Sequence, residues 1–330
     1  MNKKIFYIIV CGCLVFLVIF WVRYVRNNTQ INKDNLIRVG YRAGNIDFAP
    51  FYIADMQNYF KERGIIIEQI PLGSANDVKL AISMGQIDIA LLPATMLFIP
   101  ISKGVPVKII APMSVGNIYL AVRDKDLKTF QDLLGKKIAL TLGGPTEIYV
   151  RYILEKESID VNQIEFVAVD KTNRPTALMD HKIVDVVPIG EDELEQYSRF
   201  AVLHEEWISK GYAEYDNIME AISVNENFLI KHPFLVEKFI DSIIEGHKYI
   251  LSNFDDAAHI TSLFIQTESD SYTAEYVKKS WEESGLENII WFDPMVLVDL
   301  SRIAAEIGQI DSGLTLDQIF DLRFEEKLKY

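Results

Sequence analysis

Cysteine is almost missing from this chain of 330 residues: only Cys11 and Cys13 occur, both inside the first hydrophobic run. The rest of the sequence therefore holds no disulfide, thiolate metal site or cysteine nucleophile. Positive charge is also in short supply. With 33 Lys and Arg against 47 Asp and Glu, the formal net charge is −14, which excludes the concentrated basic surface that a nucleic-acid backbone requires. The acid is spread thinly along the chain, as on a solvated acidic surface. Histidine is scarce too, and His181, His204, His232, His247 and His259 form no HxxxH or HExxH spacing, so they offer no metal site. No GxGxxG follows a strand, and neither GxxxxGK[ST] nor GxSxG occurs, leaving nucleotide and serine-hydrolase readings without a motif. Paired carboxylates such as Glu205-Glu206 and Asp255-Asp256 are sequence neighbours and read as solvated. No acid, base and nucleophile are arranged for a reaction, and neither enzymatic activity nor a cofactor is expected.

What is present begins at the N-terminus. Residues 5–22, IFYIIVCGCLVFLVIFWV, carry no charge; as a helix rising ~1.5 Å per residue they reach about 27 Å, close to a bilayer core. Lys3 and Lys4 precede the run, and Arg23 and Arg26 follow it. Three readings stay open for residues 1–30: an uncleaved anchor, a lipoprotein signal in which Cys13 of Val10-Cys11-Gly12-Cys13 carries the lipid, and an ordinary cleaved signal. Each places the folded part on the extracytoplasmic face of the membrane, with the lysine end inside. The polar stretch NNTQINKDN, residues 27–35, reads as a tether.

From Leu36 onward, strand-type runs alternate with helical ones: IRVGY, DFAPFYIADMQNYFKERG, IIIEQI, SANDVKLAISMG and IDIALLP. The alternation implies an α/β fold with largely parallel strands. Asp47 is placed to cap the first helix, with Pro50 in its first turn and Gly64 at its close. Ser74 with Asp77, and Thr129 with Asp132, have capping-box spacing. A pseudo-repeat then appears: AISMGQIDIALLP, residues 81–93, matches ALMDHKIVDVVP, residues 177–188, each a helix end followed by a short strand and a proline. Two similar lobes explain it, the first from residues 36–119 and 222–330, the second from residues 120–221. Crossings near residues 119–123 and 215–224 make a hinge, with a cleft between the lobes. After residue 215 the pattern is helical, and Phe234, Leu235, Phe239, Ile243, Ile244 and Ile250 share one broad apolar face. Asp88 and Asp185 repeat with the strands and belong to helix-to-strand turns.

Six polar loops fall at carboxyl ends of strands, where open α/β sheets place ligands: residues 42–48, 73–76, 93–95, 114–117, 143–147 and 188–191. Their convergence on one cleft describes a binding protein. The ordered blocks IRVGY, DFAPFYIADMQNYFKERGIIIE, GSANDVKLAISMGQIDIA, KGVPVKIIAPM, LLGKKIALTLGGPTEIYVRYILEKESID and SVNENFLIKHPFLVEKFIDSI, spanning about residues 36–250, resemble the substrate-binding proteins of ABC importers for nitrate, alkanesulfonates, taurine and thiamine-pyrimidine precursors. The resemblance implies a two-lobed type II periplasmic-binding-protein fold, each lobe a mixed sheet flanked by helices. It also implies capture of a small solute by lobe closure, delivery to ABC permease and ATPase subunits, and a monomer.

Departures from the family bear on the solute. Phe48-Ala49-Pro50 stands where members often have His-Ala-Pro, and Pro188-Ile189-Gly190-Glu191 where many have a Trp-Glu-Pro turn; the cysteine-rich iron motif of pyrimidine-synthesising relatives is absent. Gly143 and Gly144 allow close backbone approach, Pro145 suits a first helical turn and Thr146 supplies a hydroxyl. In relatives the matching loop cradles a polar or anionic end of the ligand. Glu147 is repulsive to a bare anion unless it faces away, and can instead accept a ring N–H. Asp47 serves as an amine contact or a cap, Phe48 as a stacking ring or core, and Arg42 as an anion partner or a surface charge. Ser74, Thr95, Ser114, Asn117 and Glu191 complete the candidate ligand-binding set. It favours a small heterocycle or amine-bearing solute over an inorganic anion, with a sulfonate as a further possibility. An enzyme of this fold acting on a small aromatic acid, and a ligand-sensing partner of a membrane receptor, are the alternatives.

Overall fold

The computed structural model describes residues 33–115, 118–180, 183–190, 193–203, 218–265, 273–284 and 293–329. The hydrophobic run with Cys13, and also Asn117 and Glu191, lie outside the described residues. Among the described residues no helix is long and apolar enough to cross a membrane. The strands are β1 (Leu36–Arg42), β2 (Ile66–Leu72), β3 (Ile89–Pro93), β4 (Val107–Val115), β5 (Tyr119–Val122), β6 (Lys137–Leu140), β7 (Glu165–Ala168), β8 (Val186–Ile189), β9 (Val202–Leu203) and β10 (Ile218–Asn225). The principal helices are α1 (Ala49–Met56), α2 (Ala75–Ser83), α3 (Pro145–Lys156), α4 (Arg174–Met179), α5 (Pro233–Ser252), α6 (Phe254–Ile265), α7 (Ala274–Ser284) and α8 (Met295–Glu306).

The strands form two sheets of like plan, ordered β2-β1-β3-β10-β4 and β7-β6-β8-β5-β9. In each, a parallel trio is followed by an antiparallel strand, β10 beside β3 and β5 beside β8. Because β5 begins opposite Ile189, the end of β8, and β4 ends opposite the start of β10, the short link from Val115 to Tyr119 joins the carboxyl-end edges of both sheets. Loops at these edges are thereby brought next to one another, which is what a shared site needs.

The pseudo-repeat is visible in hydrogen bonds as well as in order. Asp88 accepts the backbone N–H of Arg38 at 2.8 Å, and Asp185 accepts that of Lys137 at 2.8 Å. Each aspartate returns the favour through its own N–H, to Arg38 O and Lys137 O, both at 2.9 Å. Two like carboxylates thus lock the start of β3 to β1 and the start of β8 to β6. Asp88 also holds the Arg38 guanidinium at 2.7 Å.

Local chemistry explains most helix ends and corrects one. Asn45, not Asp47, is the first cap: its side-chain oxygen accepts the Asp47 N–H at 3.1 Å over a 3-10 turn that leads into α1. The run expected as one helix to Gly64 is broken at Asn58, whose φ of 62° is left-handed, and a short helix Tyr59–Glu62 follows. Ser74 caps α2 through the Asp77 N–H, and Thr129 with Asp132 makes the full reciprocal box. Apolar β3 is buried from Ile89 to Leu92, as a central strand must be.

The core on one face of the first sheet is aromatic. Tyr41, Phe51, Phe60 and Phe239 stack and edge against one another, and Tyr52 stacks on Phe264 at 4.5 Å. Helix α5 supplies Leu235, Val236, Phe239, Ile240, Ile243, Ile244 and Ile250 to this core, whereas Phe234, expected on the same face, is 75% exposed. A second cluster joins the two sheets: Ile148 and Tyr149 of α3 share it with Leu97, Phe98 and residues of α8. Around it, Arg302 pairs with Glu155 at 2.7 Å and Lys156 with Asp299 at 3.2 Å. These ion pairs are half exposed and add little; the buried apolar contact carries the packing.

Helix α5 comes close to α1 at Gly246, where an added Cβ would meet Pro50 O at 2.2 Å. Backbone cannot yield there as a side-chain tip can. Gly246→Ala gains up to about 1 kcal/mol of helix propensity but overpacks α5 on α1, which typically costs about 1–3 kcal/mol. A net loss of stability is expected in urea unfolding, and an unchanged or raised midpoint would contradict this packing.

Candidate functional site

At the carboxyl ends of β6, β7 and β8 lies a cavity of about 320 Å³, lined by Ile118, Thr141, Gly144, Pro145, Thr146, Lys171, Arg174, Pro188, Ile189, Gly190 and Glu193. That volume is at the small end of the range for small-molecule sites. Its walls come from the loop between β6 and α3, the loop before α4 and the residues after β8.

Arg174 opens α4 and is buried. Its Nε–H donates to Val169 O at 3.5 Å, Nη1 to Pro188 O at 3.3 Å and Nη2 to Thr141 Oγ1 at 3.0 Å. All three acceptors are neutral, and among the described residues no carboxylate lies within ion-pair distance of it. A guanidinium has five N–H groups, so one on each terminal nitrogen is left over, the fork that receives an anion in bidentate fashion. Burial lowers its pKa from the ordinary value, opposed by the charge of Glu193. Glu193 itself is occupied: it accepts the Gly190 N–H at 3.1 Å and pairs with Lys171 at 3.4 Å.

The glycine loop is built to stay open. Gly143 has φ +75°, a left-handed value that favours glycine, and a Cβ at Gly144 would meet Thr141 O at 2.9 Å. Glu147, one turn into α3, is buried and folds back to accept the Gly143 N–H at 2.7 Å while pairing with Arg151 at 2.8 Å. Its charge is met inside the protein, and it does not line the cavity. The repulsion toward an anion expected from Glu147 therefore has no structural basis.

The first sheet presents a second polar group at its matching edge. Glu220 at the start of β10 sits opposite Pro93 and Ser114 and is 91% buried by its 9% exposure. Its Oε1 accepts from Asn45 Nδ2 at 3.0 Å, while Oε2 receives no hydrogen bond from the described protein. Burial, and then nearby Asp47, raise its pKa well above 4.5, with Arg42 and the Asn45 hydrogen bond pulling the other way. Tyr149 of α3 reaches this edge: its buried hydroxyl lies beside Thr95, and burial, then the charge of Glu220, raise its pKa.

Of the residues expected at the site, Gly144 and Thr146 line the cavity and Gly143 shapes its loop. Thr95 and Ser114 are buried at the first sheet's edge with Asn45 and Glu220, and Arg42 and Asp47 lie near enough to act on Glu220 electrostatically. Ser74 is remote in role, spending its hydroxyl on the α2 cap. Phe48 is fully buried and meets Tyr41 edge-on at 6.2 Å, which is core packing. Arg42 is the one Lys or Arg within the six strand-end loops; the structure adds Arg174 and Lys171, which stand just past the end of β7. Glu220 was missed because it sits in a strand, though an acidic residue within IMEAISVN is the signal that could have found it.

A family model described as NMT1/THI5 like matches residues 45–257 of the 330. The chain belongs to the NMT1/THI5-like family. A Brucella abortus (strain 2308) protein named as a binding protein is 21% identical to this NMT1/THI5-like chain over 244 residues, 73% of this chain and 76% of the relative. Among solved structures, the periplasmic sulfonate-binding protein SsuA of Methylobacillus flagellatus matches with a TM-score of 0.73 at 17% identity, covering 89% of this chain and 93% of the other. The periplasmic aliphatic sulphonate binding protein SsuA of Escherichia coli matches with a TM-score of 0.69 at 13% identity, covering 87% and 92%. These likenesses establish the two-sheet periplasmic-binding-protein fold expected from the ordered sequence blocks.

Glu220 generates a pH prediction. Its carboxyl ionises near 4.5 when unfolded and at higher pH when folded, so the folded state binds more protons in between, and this contribution to stability falls as pH rises through that window. Glu220→Gln removes the titration. In urea unfolding the stability of the variant relative to the parent is expected to grow from pH 4.5 toward neutrality; a constant difference would mean that Glu220 is ionised in the fold.

Proposed function

We propose that this chain is the extracytoplasmic solute-binding component of an ABC importer and that it takes a small organic anion in the cavity beside Arg174. The observation that carries the reading is a buried guanidinium with two N–H groups left over, facing a cavity of about 320 Å³. Lys171 adds positive charge at the rim, and the first turn of α3 brings Thr146, with its hydroxyl and backbone N–H, to the cavity wall; the Gly143, Gly144 and Glu147 N–H groups are bonded within the protein. On a chain of net charge −14, this local cationic patch selects for the anionic end of a solute.

The fold supplies the transport logic. Two sheets joined at their site edges by two crossings can hinge open and shut, and closure around a solute gives a permease a state to recognise. The proposed lobes are residues 36–119 with 222–330 and residues 120–221, a division in keeping with the strands of the two sheets. The permease and ATPase subunits are the proposed partners. The sulfonate-binding relatives named above support the same class of ligand.

Thermal shift and calorimetry on the folded part, residues 31–330, test this with alkanesulfonates, short carboxylates, nitrate and pyrimidines. At about 100 times its dissociation constant a true solute adds ~2.7 kcal/mol of stability. Arg174→Met is expected to weaken an anionic solute about a hundredfold, since truncating one side of a buried charge pair costs about 2–5 kcal/mol. The solute-free variant should be as stable as the parent or more so, because the guanidinium it loses is buried without a carboxylate. Binding within threefold of the parent would refute the assignment of Arg174.

A further inference from the structure

Charged side chains of both signs line the Arg174 cavity, and they do not cancel: Arg174 and Lys171 stand against Glu193. Glu193 and Lys171 pair with each other at 3.4 Å, so their charges offset across the wall. Arg174 is left to supply one unit of positive charge to a solute. Glu193 is fixed where it is, because the oxygen that faces Lys171, Oε2, also accepts the Gly190 N–H at 3.1 Å. It is buried, whereas Lys171 is exposed, so the acid of this pair belongs to the wall and the cation to the rim.

Nothing else near Arg174 adds a cation. The remaining ionisable groups that act on it are Asp170 and Tyr197, which titrate to anions. Thr141 and Thr146 on the wall are neutral, and Arg151 is committed to Glu147 at 2.8 Å. A solute group carrying one negative charge is therefore matched by Arg174. A second charge on the same group finds no free cation on the wall and faces the Glu193 carboxylate within a cavity of about 320 Å³. Like charges held that close, behind walls that screen less than water, repel strongly, and a charge taken from water without a partner is costly in itself.

From this count we infer that Glu193 is a specificity residue that makes the cavity select by charge number, admitting singly charged groups such as sulfonates and carboxylates and turning away dianions such as an ionised phosphate monoester. The inference rests on the anion reading of the Arg174 cavity and deepens it. A cationic patch without Glu193 would favour the more highly charged ligand, the opposite order.

Calorimetry on the folded chain tests this with pairs of probes matched in heavy atoms: methyl, ethyl and propyl phosphate against ethane-, propane- and butanesulfonate. The sulfonates keep one charge throughout, whereas the protonated share of a phosphate monoester falls from about 90% at pH 5 to about 1% at pH 8, since its second proton leaves near pH ~6 as in phosphoserine. The readout is the loss of phosphate affinity between the two pH values divided by the loss for its sulfonate partner, which cancels titration of the protein. A ratio of about tenfold or more is expected for the parent in at least one pair. Glu193→Gln, whose amide oxygen can still accept the Gly190 N–H, should bring the ratio to within about threefold. Thr146→Lys adds a cation to the same wall, should lower the ratio likewise, and serves if the glutamine variant does not fold. A parent ratio near one in every pair, phosphates that fail to bind at either pH, binding of the phosphates alone, or a ratio that survives both substitutions overturns selection by charge number while leaving the anion reading intact. Failure of every probe to bind the parent overturns the anion reading and this inference with it.

Discussion

Removing a guanidinium from water without giving it a carboxylate is among the costlier things a fold can do, and the arrangement around Arg174 depends on how that cost is met. Three neutral acceptors hold it, a backbone carbonyl from each of two strand ends and the hydroxyl of Thr141. Neutral acceptors offset part of the desolvation and leave the charge itself uncompensated. Glu193, the carboxylate whose charge acts most on it, is committed to Gly190 and Lys171, and Glu147 of the glycine loop to Gly143 and Arg151. In the proposed reading an anion from solution is the missing partner, and the uncompensated charge favours its binding.

The remainder of the architecture places that charge. Paired aspartates, Asp88 and Asp185, lock the same two strands in each sheet, so the two units present like edges. The brief link from β4 to β5 then sets those edges side by side. Helix α3 connects them further: its first turn rims the cavity, Glu147 braces the glycine loop, and Tyr149 extends to the first sheet's edge. One helix thus carries the loop geometry, the cavity wall and the contact between sheets, which is why changes in closure and changes in occupancy should be felt together.

Much of this could be read from the sequence, and the exceptions have physical causes. The alternation of elements, the repeated Ile-Asp-Ile and Val-Asp-Val strands and the caps at Ser74 and Thr129 are local signals, and local signals survive folding. Asn45 displaced Asp47 as the first cap because both types can cap and only the turn's geometry chooses. The role of Glu147 was not legible: a carboxylate at a helix start looks the same whether it faces a ligand or folds back on its own loop, and Arg151 decides the matter from one turn away. Arg174 was overlooked because it begins a helix just past the loop, and its burial is a product of tertiary packing. Glu220 shows the same limit, since its partners Asn45 and Ser114 are distant in sequence and meet it only through strand register.

The central claim is that Arg174 receives the anionic group of a solute. The most direct measurement is a crystal structure of the protein purified from its native host without dialysis. The account predicts an anionic group within about 3 Å of both terminal nitrogens of Arg174, the spacing of a charge-assisted pair. Density for a solute elsewhere, with Arg174 turned to a carboxylate of the protein, would contradict it.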